Sequence, residues 1–135
     1  MFRRIRFFIM DKTLNFKRRR QRFKRGYSYS DVWNMCDWFI EVTSPMLVHL
    51  RDEGIGVPGD LWLEDAENER EKWESVLTEM IECLSLMSED GARKYLCVDD
   101  NDYSINSYNE VRILMERNKR LFFELFSRYF YSLWD

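Results

Sequence analysis

Three apolar stripes at helical spacing constrain this chain more than any other feature. The first runs Val32, Cys36, Phe39, Ile40, Met46, Leu47 and Leu50, with Trp33 and Trp38 beside it. The second is Trp73, Val76, Leu77, Met80, Ile81, Leu84 and Met87. The third is Val111, Leu114, Met115, Leu121, Phe122, Leu125, Phe126, Tyr129 and Leu133. Residues three and four apart share a helix face, so each stripe predicts a helix that must bury one side. A chain of 135 residues with 45% apolar content fits one domain with a real core. The pattern predicts an all-α fold, a compact bundle of three main helices over about residues 30–53, 66–88 and 107–134.

Local signals place the helix ends. Gly26 ends a basic run and can take a positive φ. Ser28 and Asp31 have capping-box spacing, with Asp in place of the usual Glu, and should start the first helix. Pro45 lies inside that helix and lacks a backbone donor, so a kink or break is expected there, near Thr43-Ser44. Gly54 is placed to end it, and Gly54 to Gly59 read as a loop pinned by Leu61-Trp62-Leu63. Ser107 and Glu110 have the spacing of a second capping box, for the third helix. Residues 93–98 fit either a helical turn or an extended piece, and residues 1–12 either a helix or a strand.

Charge divides the chain. Residues 1–26 carry eleven Lys/Arg and one acid, a net of +10, while residues 27–135 carry −13. We therefore expect a basic N-terminal segment, 1–25, and a single acidic helical domain, 26–135. The densest basic patch is Lys17, Arg18, Arg19, Arg20, Arg22, Lys24 and Arg25, with Leu14, Phe16 and Phe23 interleaved. Three readings compete: a solvated arm packed on the acidic domain, a nucleic-acid contact through phosphates, and docking on an acidic protein. Nothing resembles a base-reading module, so a nucleic-acid contact here would be independent of sequence.

Recognisable chemistry is missing. No nucleophile elbow, Walker loop, dinucleotide fingerprint or zinc spacing occurs. The only histidine, His49, has no companion set and reads as structural. The glutamates at 67, 69, 71, 74, 79 and 82 read as a solvated face rather than a catalytic pair. A calcium loop counted from Asp99 to Glu110 fails, with Tyr103 at a ligand position and Ser104 where glycine is required. We expect no catalytic residues, no metal and no cofactor, and hence not an enzyme. The three cysteines, Cys36, Cys83 and Cys97, form no C-x-x-C pair and suit a reducing compartment. No stretch approaches the ~20 apolar residues of a membrane span. Phe7 to Met10 is too short for a signal-peptide core.

The C-terminal end is crowded with rings: Phe122, Phe123, Phe126, Tyr129, Phe130, Tyr131 and Trp134. They cannot all face one core. Some must be exposed, covered by the N-terminal segment, or buried in another chain, and an exposed apolar patch usually marks an interface. The residues singled out for contact with a protein partner are Tyr27, Tyr29, Phe123, Phe130, Tyr131 and Trp134. For the C-terminal four, core burial is the competing reading. For Tyr27 and Tyr29 it is a plain helix start with an aromatic anchor. Self-association is a further use of the same rings.

Several pieces occur in an order that resembles a family of small, mostly uncharacterised phage and prophage proteins. They are Gly26-Tyr-Ser-x-x-Asp-Val-Trp33, the loop from Gly54 to Gly59, the helix Trp73-Glu-Ser-Val-Leu-Thr-Glu-Met-Ile81, and the ending Tyr129-Phe-Tyr-Ser-Leu-Trp-Asp135. The resemblance covers residue 26 to the C-terminus. It departs at Cys36, where the family often has Asp, and here Asp37 follows instead. The resemblance implies phage origin and a helical fold and carries no activity. Together with the surplus rings and the acidic domain, it leads us to expect a soluble, non-catalytic binding factor in the host cytoplasm. Its partner would be a host or phage protein, most plausibly a host defence protein that it inhibits. The alternative is a nucleic-acid-associated accessory protein using residues 17–25, and a virion component is a weaker third.

Overall fold

In the computed structural model the described residues are 15–59, 61 and 68–134. The helix-or-strand question at residues 1–12 lies outside them, as do Trp62 and Leu63 of the loop. The described residues are all-helical, with no strand among them. We label the helices α1 (residues 15–25), α2 (Tyr29–Trp33), α3 (Met35–Glu53), α4 (Glu69–Met87), α5 (Glu89–Tyr95) and α6 (Ile105–Tyr129), the last continuing as a 3-10 turn over Phe130–Ser132. The chain forms two compact units, one up to Phe39 and one from Ile40 onward.

The first unit is a basic helix turned back on a short one. Gly26 makes the turn with φ at 80°, and its N–H bonds the Arg22 carbonyl at 2.8 Å. The left-handed backbone there is open to glycine at no steric cost. The capping box at Ser28 forms, with Asp31 accepting the Ser28 N–H at 2.7 Å. It starts a helix of only 5 residues, because the backbone leaves the helical region at Asn34. The single first helix expected from the apolar stripe is thus divided into α2 and α3. Asn34 stands directly before α3, and its side-chain amide donates to the Asp37 carboxylate three residues on, a contact between side chains and not the backbone cap formed at Ser28–Asp31. Pro45, by contrast, sits inside α3 with no interruption assigned at it.

The second unit is built on α4 and α6, with α5 packed against both. Trp73, Leu77, Met80 and Leu84 follow one face of α4 and are fully buried. Phe122 and Tyr129 meet them from α6, and the Trp73 and Tyr129 rings lie 5.4 Å apart, tilted at 60°. Burying each such aliphatic side chain is worth about 1.5–3 kcal/mol. Ala92 is the buried contact of α5. One polar residue shares the α6 stripe: Asn118 is buried and donates to the Leu114 carbonyl at 2.8 Å, which satisfies it within its own helix.

The connections depend on side chains reaching backbone. Ser88 caps α5 by accepting the Gly91 N–H at 3.1 Å. Gly91 is required there, because a Cβ would stand 2.0 Å from the Ser85 carbonyl oxygen. Residues 93–95 complete α5, and the chain then closes with Cys97 N–H to Lys94 O at 3.2 Å and Val98 N–H to Arg93 O at 3.0 Å. This is a Schellman ending with Cys97, at φ 53°, in the position usually held by glycine. Arg93 then donates to the carbonyls of Asp99 and Asp102, holding the acidic turn. The third long helix starts earlier than its expected capping box. Ser104 is the N-cap and accepts the Ser107 N–H at 3.3 Å, so Ser107 is an inner first-turn residue and not the cap.

Candidate functional site

The C-terminal rings of the second unit form a ladder from core to surface. Phe122 is fully buried and stacks on Phe126 at 5.4 Å. Phe126 meets Phe130 edge-on at 5.4 Å, and Phe130 meets Tyr131 edge-on at 5.3 Å. Phe123 leans on Phe122 at 5.2 Å from the solvent side. Exposure rises along the series, ending with Tyr131 at 91%. Phe123, Phe130, Tyr131 and Trp134 are all exposed, so among the C-terminal rings it is Phe122 and Tyr129 that serve the core. The geometric cause is helical phase. Phe122 and Tyr129 stand seven residues apart on the face toward α4, while Phe123 and Phe130 share the next face round.

Beside the ladder lies an open cleft of about 630 Å³. Pro45, Met46 and His49 of α3 form one wall, and Phe126, Phe130 and Trp134 form the other. Leu47 and Leu50 of α3 are buried. Met46 was expected in the core stripe, yet it is 65% exposed at the cleft. A flexible thioether on an exposed apolar wall adapts readily to a bound surface. His49 is exposed and pairs with Glu53 at 3.4 Å, one turn on. The cleft wall on α3 escaped sequence reasoning because Met46 read as core, Pro45 as a kink and His49 as a structural residue.

Tyr27 and Tyr29 belong to the first unit and not to this cleft-bearing one. Both are exposed at the start of α2, Tyr27 just before its cap and Tyr29 as its first residue, with the Arg25 guanidinium over both rings, 5.3 Å from Tyr27 and 4.5 Å from Tyr29. Arg25's hydrogen bond and charge hold the Tyr29 phenol below its ordinary pKa. The six residues proposed for a protein partner are therefore divided between the two units. The basic residues Lys17, Arg18, Arg19, Arg20, Arg22, Lys24 and Arg25 are all exposed on α1, and Lys17, Arg20, Lys24 and Arg25 surround one concavity with Gln21. Arg22 points elsewhere, to Asp31.

On the rest of the expected chemistry the geometry is plain. Val32, Trp33 and Cys36, read as part of the first apolar stripe or its flank, are exposed, which removes that half of the stripe from any core role. Cys83 is buried, and burial pushes its thiol pKa up, making it a small apolar filler. Among the described residues no group of three or more His, Cys, Asp or Glu side chains is placed to hold a metal. No helix among them is long and apolar enough to cross a membrane. Comparison with protein-family models, with curated proteins and with solved structures finds no match to this chain.

Proposed function

We propose that this chain is a non-catalytic protein-binding factor of phage origin, acting in the host cytoplasm by occupying and inhibiting a host protein, most plausibly a defence protein. The observation that carries the reading is the ring ladder beside the cleft. Large aromatic side chains exposed together are costly to leave in water and are the residue types that anchor interfaces. Phe130 and Trp134 would be the central anchors, with Met46 adapting to the partner and Phe123 and Tyr131 widening the contact. The phage origin rests on the ordered motifs from Gly26 to Asp135. The acidic composition of residues 27–135 supports a target with a basic groove, through electrostatic complementarity. The full fold we propose is a bundle of three main helices, α3, α4 and α6, with α3 bent at Pro45.

The test is a capture experiment on tagged chain in host extract, with and without nuclease treatment, wild type against Phe130→Ser/Trp134→Ser. A stoichiometric protein held by the wild type and released by the variant, with unchanged thermal unfolding of the variant, supports the reading. Equal retention by both chains would remove the cleft from it, and a partner lost on nuclease treatment would remove protein binding altogether.

A further inference from the structure

The second unit's cleft leaves α1 unexplained. Residues 15–26 hold seven Lys/Arg and no acid. A helix packed as an ordinary solvated face alternates its charges, whereas this one repeats a single sign and repels itself. Among the described residues, the ion pair that neutralises a cation of α1 joins Arg22 to Asp31. Lys17, Arg20 and Lys24 fall on successive turns, about 4.5 and 6 Å apart along the axis. Arg25 extends that row to the concavity's end, and among the described residues no carboxylate pairs with Lys17, Arg20 or Lys24. Self-repulsion of this kind is relieved by a polyanion.

The rings around the row say which polyanion. Phe16 and Phe23, two turns apart, form the stripe next to the basic face and are 71% and 91% exposed. Tyr27 and Tyr29 stand just beyond the helix end, already held by Arg25. An acidic polypeptide would satisfy the cations but offers no flat surface for exposed rings. A duplex keeps its bases stacked on one another. Unpaired bases supply both a phosphate row and free π-faces, which is the combination used by proteins that hold single strands.

We propose that the basic face of α1, with Phe16, Phe23, Tyr27 and Tyr29 around it, binds single-stranded nucleic acid without sequence selection. Lys17, Arg20, Lys24 and Arg25 take the phosphates, and the rings stack on bases. This surface lies wholly in the first unit and is independent of the cleft proposed for a protein partner.

The experiment is fluorescence anisotropy of a labelled oligothymidylate of about 20 nucleotides, titrated with the full chain at several salt concentrations. Binding is expected to weaken with salt at a log–log slope of about −2 to −3, as for three or four single-strand phosphates. Lys17→Glu/Arg20→Glu/Lys24→Glu is expected to weaken binding at least about tenfold with unchanged circular dichroism. Lys17→Gln/Arg20→Gln/Lys24→Gln replaces it if charge reversal disturbs the helix. Tyr27→Ala/Tyr29→Ala is expected to weaken binding about fivefold or more while leaving the salt slope as it was. Phe130→Ser/Trp134→Ser is expected to bind like the wild type. No binding at low salt, or a charge variant that binds normally, would overturn the proposal. So would a duplex or polyglutamate of matched length that competes as well as the single strand.

Discussion

Arg22 grips the Asp31 carboxylate at two points, Nε to Oδ2 at 3.0 Å and Nη2 to Oδ1 at 2.6 Å. The same Oδ2 accepts the Ser28 N–H, so one carboxylate caps α2 and ties α1 to it across Gly26. A paired fork of this kind is stronger and more directional than a point charge.

That grip has a pH signature. The Arg22 hydrogen bond, joined by those from Ser28, holds the Asp31 carboxyl well below the usual carboxylate range. A depressed folded-state pKa adds stability above the ordinary aspartate value of about 4, and that stability fades as pH falls below it. The melting temperature of the wild type should exceed that of Asp31→Asn at pH 7, and the gap should begin to narrow below about pH 4 and close only as pH passes below the depressed folded-state value, read by calorimetry. A gap independent of pH would mean the carboxylate's charge is not what joins the two helices.

The α4–α6 core and the ladder tip should separate by mutation. Leu77→Ala opens a cavity among fully buried neighbours and should cost about 2–5 kcal/mol in urea unfolding. Tyr131→Ser, at an exposed ring, should stay within about 0.5 kcal/mol. Comparable losses at both sites would place Tyr131 in a core.

Arg70 closes α3 from α4. It donates to the Gly54 carbonyl, to the Arg51 carbonyl at 3.0 Å and to Glu74 at 2.7 Å. The carbonyls at a helix C-terminus lack intrahelical partners, so this fork satisfies what α3 cannot. Arg70→Ala should cost about 1–2 kcal/mol and speed amide exchange in the last turn of α3. Arg70→Lys should recover little, because one ammonium cannot span the three acceptors.

The two ends of α5 respond oppositely to glycine chemistry. Gly91→Ala puts a methyl against the Ser85 carbonyl and should destabilise by about 2 kcal/mol or more. Cys97→Gly relieves a left-handed non-glycine residue and should stabilise by up to about 1 kcal/mol. Denaturant midpoints of the two single variants check both signs.

The legible parts of this chain were the ones written in local chemistry. The period of Trp73, Leu77, Met80 and Leu84 named the buried face of α4 because residues of that spacing share one side of any helix. Ser28 and Asp31 named a helix start because a cap needs only its own next three residues. The same local rule applies at Ser104–Ser107, where the nearby Ser107–Glu110 spacing drew the expected helix start elsewhere.

Tertiary structure alone decided what covers each face. The first apolar stripe has the same period as the second, yet Leu47 and Leu50 are buried while Val32, Cys36 and Met46 stand in water. Periodicity records which side chains point the same way and carries nothing about the element opposite. The division of the C-terminal rings into core and cleft follows from the phase at which α6 meets α4. Arg22 on Asp31, Arg70 on Gly54 and Arg93 on Asp102 join residues 9 to 16 positions apart. A long flexible cation carries no sequence mark of which oxygen it will reach until the backbone has brought that oxygen near.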